Sequence, residues 1–177
     1  MKPFKTLFIS TVIFLGFSFS QLHAQGKEVN VNIPQLSKTL GFDITEKDST
    51  HIELFTTAAD WLGVRYKWGG NTRASGVDCS GFTNVMYDLL YDKKIDRSSS
   101  SLSKSVPVRI QDPNKLKPGD MVFFATSKRH QKINHVGIYL KDGYFVHASS
   151  AKGKVLVSTL LDGFYKKAWR MGGRIPD

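Results

Sequence analysis

His135-Val136-Gly137-Ile138-Tyr139-Leu140-Lys141-Asp142-Gly143-Tyr144-Phe145-Val146-His147-Ala148 decides how this chain folds. Two short runs of β-branched and aromatic residues flank Lys141-Asp142-Gly143, which is the composition of an antiparallel hairpin. Met121 to Ala125, Val155 to Thr159 and Ala168 to Arg174 have the same short apolar character, and Pro118, Gly119 and Asp120 introduce the first of them. Upstream the period is helical. Thr50 and Glu53 have capping-box spacing, Ile52, Phe55, Ala59 and Leu62 follow at helical intervals, and Gly63 is a natural stop. A loop rich in Gly, Asn and Ser runs from Trp68 to Val77. A second helix is expected from Cys79 to about Tyr91, with Phe82, Val85, Met86, Leu89 and Leu90 on one face. Helices first and an antiparallel meander of about five strands afterwards make an α+β domain.

Parity in the hairpin carries a consequence. His135 and His147 are an even number of residues apart. A two-residue turn at Asp142-Gly143 would pair Lys141 with Tyr144 and set the two histidines on opposite faces. A three-residue loop would pair Leu140 with Tyr144, put His147 opposite Gly137, and make His135 its diagonal neighbour on one face. Joint action of the pair therefore requires the three-residue loop, or a bulge with the same effect, with Gly143 left-handed. Both rings are then expected to point towards the N-terminus of the Cys79 helix.

Outward from this core, residues 50–177 form one domain and residues 25–49 a polar lead-in, with at best a short helix from Pro34 to Leu40. Residues 1–24 read as a secretory signal peptide: Lys2 and Lys5, an apolar run from Thr6 to Ser20, and cleavage after Ala24. The run is shorter than the roughly 20 residues a membrane span needs, so retention as an anchor is the lesser alternative. No Cys lies near its end, which closes the lipoprotein route. The product is expected in the periplasm, the cell envelope or outside the cell, without stable membrane insertion. The chain carries a net charge of +10, and +8 without the leader, which removes two lysines and no acids. That balance favours acidic partners; wall polymers with carboxylates and phosphates fit the compartment, and nucleic acid does not.

Cys79 is the one cysteine, so no internal disulfide forms. Free Cys is usually core, but Cys79 falls at a helix start rather than on the apolar face. Unpaired N–H groups there favour a thiolate and can hold an oxyanion. Asp78 opposes the thiolate and is better used as an N-cap or as a contact for a substrate ammonium. A low-pKa Cys79 paired with His135 is the expectation. His135 would act as base, with His147 fixing its tautomer. His51 and His130 read as solvated surface residues.

Five ordered motifs resemble the NlpC/P60 cell-wall cysteine peptidases: Tyr66-Lys67-Trp68-Gly69-Gly70, Asp78-Cys79-Ser80-Gly81-Phe82, Leu116 to Phe124, His135-Val136-Gly137-Ile138-Tyr139 and Phe145-Val146-His147-Ala148. The resemblance runs from about Leu54 to Ile175. It implies a papain-like α+β fold, with Cys79 as nucleophile, His135 as base and His147 as third polar residue. It also implies that Tyr66 helps hold the oxyanion and that Asp78 and Ser80 meet a peptidoglycan stem peptide, cut next to a diamino acid. No cofactor or metal is implied, and the partner is peptidoglycan peptide met by a monomer. The chain departs from the family after Arg97, where Ser98 to Ser101 and Leu102 replace a Thr/Ser-Ser stretch ending in Gln. Three alternatives stay open: a zinc site of Cys79, His135 and His147, an amidase or acyltransferase on the same residues, and a non-catalytic wall-binding module.

Overall fold

The computed structural model describes residues 21–24, 27–127 and 131–176. The apolar leader run and His130 lie outside them. Strand β1 (Gln21–Ala24) pairs antiparallel with β2 (Lys27–Asn30), so the expected cleavage point falls directly after β1 in sequence. Helix α1 (Ile33–Leu40) starts where the Asn32 side chain accepts from the Gln35 N–H at 3.0 Å, and it ends at Gly41, φ 80°. The short helix expected from Pro34 to Leu40 is therefore present. Its surroundings are less peripheral than a lead-in suggests, because Leu36, Leu40, Phe42 and Ile44 are buried in the main core. Phe42 meets Phe55 edge-on at 5.6 Å, which ties this segment to the next helix.

A 3₁₀ turn over Glu46–His51 precedes α2 (Ile52–Trp61). The capping box belongs to this turn and joins Thr45 to Asp48, not Thr50 to Glu53 as the spacing suggested. Thr45 has the extended backbone that a cap needs, whereas Thr50 already lies inside the turn. A small hairpin of β3 (Asn71–Thr72) and β4 (Gly76–Val77) leads into α3 (Cys79–Tyr91), whose bounds are those expected. Phe82 and Met86 are fully buried, each worth about 1.5–3 kcal/mol. Leu89, expected on this face, is 58% exposed. Tyr87 takes the face instead, because its hydroxyl donates to the Gly119 carbonyl at 2.8 Å and so buries without an unpaired polar atom.

Beyond α3 come α4 (Ser99–Ser105), β5 (Val108–Ile110), β6 (Met121–Phe124), β7 (His135–Lys141), β8 (Tyr144–Ser149), β9 (Lys154–Thr159), α5 (Gly163–Ala168) and β10 (Trp169–Arg174). Six of these strands form one antiparallel sheet in the order β5-β10-β6-β7-β8-β9. Four strands meander as expected, but β10 crosses back to pair with β6 instead of following β9. The sixth strand, β5, is too short to show a period. One face of the sheet packs Val136, Ile138, Val146 and Ala148 against Phe82 and Met86 of α3. The opposite face carries Val122, Phe124, Tyr139 and Phe145 under Tyr165 and Trp169. None of the described helices is long and apolar enough to cross a membrane.

Candidate active site

Cys79 opens α3, and Asp78 caps it. The Asp78 carboxylate accepts from the Gly81 N–H at 2.7 Å, the Gly69 N–H at 2.8 Å and the Ser80 hydroxyl at 3.1 Å. Arg97 reaches both carboxylate oxygens, at 2.8 and 3.0 Å, and also donates to Ser80 Oγ and the Gly70 carbonyl. Burial works against this carboxylate. The hydrogen bonds from Arg97, Gly81 and Gly69, with the Arg97 charge, outweigh it and hold its pKa below the ordinary value. The cap reading of Asp78 thus holds, and both its oxygens are engaged within the protein. A Cβ on Gly81 would stand 2.1 Å from the Gly70 carbonyl oxygen, so glycine is what lets the Tyr66–Gly70 loop lie against the helix start.

The β7–β8 hairpin solves the parity problem by the second of the two expected routes. Its turn has two residues, Asp142 and Gly143, with φ 48° and 83°, and Lys141 pairs with Tyr144. The three-residue loop is therefore corrected. A bulge at Leu140 follows, since Tyr139 pairs with Phe145 and Ile138 with Val146. This extra residue restores the register in which Gly137 opposes His147. A Cβ on Gly137 would come within 3.1 Å of His147 Cβ and 2.8 Å of the Val146 carbonyl oxygen. His135 and His147 share a face, and His135 Nε2 lies 2.8 Å from His147 Nδ1 with the rings at 88°. His147 Nε2 in turn lies 3.0 Å from Ser158 Oγ.

That face is the one opposite α3, shared with Phe145 and Tyr165. The rings therefore do not lie over the body of the helix. Cys79 approaches this edge of the sheet at the start of β7, where the Val136 N–H, one residue after His135, reaches its sulfur. His135 is the first residue of β7, which is why a residue on the far face borders the helix start.

Burial pushes the Cys79 thiol above its ordinary pKa and the Asp78 charge adds to this, while N–H groups of Val136, Ser80 and Cys79 itself oppose it. Burial pushes His135 down to about 4, and burial together with His135 pushes His147 well below 6.5. At rest the thiol and both imidazoles are thus neutral, the reverse of the expected low-pKa thiolate. Desolvation of both partners outweighs the helix start. Tyr66 is half-buried near Cys79, and burial followed by the Cys79 and Asp78 charges raises its pKa, so its phenol keeps its proton. Among the described residues no group of three or more His, Cys, Asp or Glu is placed to hold a metal ion. His135 and His147 face each other instead, which leaves the zinc alternative without a ligand set there.

Three residues escape the motif reading. Arg97 anchors Asp78 from 19 positions away. Ser158 lies on β9, diagonal to His147, because Leu156 is His147's direct partner. Tyr165 lies 5.0 Å from the His147 ring and 6.2 Å from the His135 ring. It comes from a six-residue helix too short to leave a periodic signal.

Residues 63–174 match the NlpC/P60 family. The chain belongs to that family. It is 35% identical over 120 residues to the murein DD-endopeptidase MepS/murein LD-carboxypeptidase of Escherichia coli, spanning 66% of this chain and 58% of that one. A probable endopeptidase of Haemophilus influenzae is 29% identical over 176 residues, 99% of this chain and all of the other. Among solved structures, an NlpC/P60 protein from Bacillus cereus superposes with TM-score 0.61 at 30% identity, covering 70% of this chain and 39% of that one. The NlpC/P60 domain of the peptidoglycan hydrolase SagA gives 0.56 at 28% identity, covering 68% and 94%. The α+β fold expected from the sequence is the fold of this family.

Proposed function

We propose that this NlpC/P60 chain is an exported cysteine endopeptidase that cuts peptide bonds in peptidoglycan. The observation that carries the reading is the Cys79 thiol at a capped helix start, met by the N–H of Val136, the residue after His135, with His147 and Ser158 in line behind His135. The Cys79 proton passes to His135 Nδ1 as sulfur attacks the scissile carbonyl carbon. The oxyanion is held by the first-turn N–H of Cys79 and by the protonated Tyr66 phenol. Protonated His135 then gives its proton to the leaving amine as the C–N bond breaks, leaving a thioester on Cys79. Water, deprotonated by His135, attacks that thioester, the C–S bond breaks to release the acid, and protonated His135 returns its proton to the Cys79 sulfur. Because thiol and imidazole rest neutral, proton transfer accompanies attack rather than preceding it.

Asp78 and Ser80 shape the floor on which the stem peptide lies, and their bonds to Arg97 fix that floor before substrate arrives. The E. coli relative is named a DD-endopeptidase, which makes a cross-link between stems the first bond to test. Export rests on the leader of residues 1–24, ahead of a peptidase domain of residues 50–177. Defined cross-linked and uncross-linked muropeptides, digested and read by mass spectrometry, test the reaction. Native protein is expected to yield new termini, and Cys79→Ala to yield none while keeping its circular dichroism spectrum. Product from the Cys79→Ala protein would overturn the reading.

A further inference from the structure

Two segments are stitched together on one side of Cys79. Gly63 donates to the Val155 carbonyl and Val155 to that of Val64, Tyr66 donates to the Gly153 carbonyl at 2.8 Å, and Arg65 bridges to Lys154. This seam gathers Arg65, Lys67, Lys152 and Lys154, all exposed, onto one shelf. Arg73 extends it, held 5.3 Å over the Trp61 ring and bonded to the Asp60 carbonyl. Neither residues 61–77 nor residues 149–161 contain an acid. Among the described residues none of these five cations pairs with a carboxylate; of the two acids flanking the shelf, Asp78 is already met by Arg97 and Asp60 offers Arg73 its backbone carbonyl.

Trp68 stands on this shelf with 86% of its surface exposed. Its backbone is fixed: the Gly69 N–H donates to Asp78 Oδ2, and the Lys67 N–H donates to the Val77 carbonyl. The loop that carries the indole is therefore pinned to the cap of the Cys79 helix. A single exposed aromatic needs no explanation. An exposed indole on a pinned loop among cations without carboxylate partners does, because gathered cations repel and give the fold nothing.

We propose that this shelf docks the glycan-linked part of the substrate, an acidic sugar–peptide polymer. The C–H face of a pyranose ring lies on the negative face of the Trp68 indole, while stem carboxylates meet Lys67, Lys152 and Lys154. The inference rests on the peptidoglycan reading above and adds that the shelf selects polymer over free stem peptide. Arg65 is already bonded to the Ser75 carbonyl at 2.8 Å and Arg73 to the Asp60 carbonyl, so these two side chains need little further ordering on binding.

Cosedimentation with purified sacculi tests this without hydrolysis, using the full chain carrying Cys79→Ala. Binding is expected to weaken with salt, since exposed charges are screened beyond about 10 Å at 0.1 M ionic strength. Adding Trp68→Ala is expected to weaken it about tenfold, the scale of an interfacial tryptophan. Adding Lys152→Gln with Lys154→Gln is expected to weaken it and flatten the salt dependence. A soluble disaccharide-peptide should displace the protein at concentrations where the sugar-free stem peptide does not. Parent-like binding by both variants, or equal displacement by the two competitors, overturns the docking proposal. Cleavage by native protein is read separately on muropeptides, so loss of the docking claim and loss of the peptidase claim are distinguishable.

Discussion

If His135 accepts the thiol proton at Nδ1, then Nε2 carries hydrogen and donates to His147 Nδ1 at 2.8 Å. His147 must then carry its own hydrogen on Nε2, which donates to Ser158 Oγ at 3.0 Å. One tautomer of each ring then satisfies the whole line, with the Ser158 hydroxyl, which can accept as well as donate, taking the last hydrogen. Replacing His147 with Ala frees the His135 ring to rotate and to adopt the other tautomer. A loss of about 10²–10⁴ in kcat is expected on a defined muropeptide, with KM little changed. His147→Asn, whose side-chain oxygen can accept from His135, should recover part of it. Ser158→Ala should cost less than His147→Ala; an equal loss would show that Ser158 acts otherwise. The line was only half legible in the sequence. Cys79, His135 and His147 sit in motifs with local signatures, whereas Ser158 meets His147 only through the register of a second hairpin, which no local pattern encodes. Arg97 was unread for a similar reason, because its partner Asp78 lies across a whole helix in sequence.

At the scale of elements, the β7–β8 hairpin sets the geometry, and parity alone left two solutions for it. The turn residues Asp142 and Gly143 both adopt positive φ, as a two-residue turn with right-handed strand twist requires. The chain then regains the register that sets both histidines on one face by bulging at Leu140, a residue with no distinguishing sequence mark. Gly137 is the element's weak point. An added methyl there would lie 2.8 Å from both the Phe145 ring and the Val146 carbonyl oxygen, and 3.1 Å from His147 Cβ. The carbonyl cannot swing aside without breaking the ladder. Gly137→Ala is therefore expected to cost about 1–3 kcal/mol in urea unfolding, the usual price of overpacking. It should also lower kcat in folded protein by displacing His147. Wild-type stability and rate in this variant would mean that the β7–β8 contact is looser than its register implies.

At the scale of the molecule, the two ends of the fold were the least legible. Leu36, Leu40, Phe42 and Ile44 bury against helices from further along the chain, and β10 returns to β6, so both depend on contacts that local periodicity does not report. The same burial has a consequence in acid. His135 and His147 are held neutral in the folded protein, with His135 pushed down to about 4 and His147 well below 6.5. In the unfolded chain each titrates near 6.5. Above that pH both states are neutral at these rings, and stability is undiminished. Below it the unfolded chain binds protons that the folded chain does not, so stability falls as pH drops from 6.5 towards 4. His135 alone accounts for a loss of about 3 kcal/mol over that window. The carboxylates whose pKa is lowered, Asp48 and Asp78, act in a separate window, because their contribution is lost only as pH falls below 3.8. Urea midpoints measured at pH 7.5, 6.0 and 5.0 should therefore decline steadily before any carboxylate protonates. His135→Gln should flatten the decline even if it lowers the midpoint at pH 7.5, since the slope reports proton uptake and the offset reports packing. A native midpoint unchanged between pH 7.5 and 5.0 would mean that the histidine pair is open to water, and the neutral resting site would go with it.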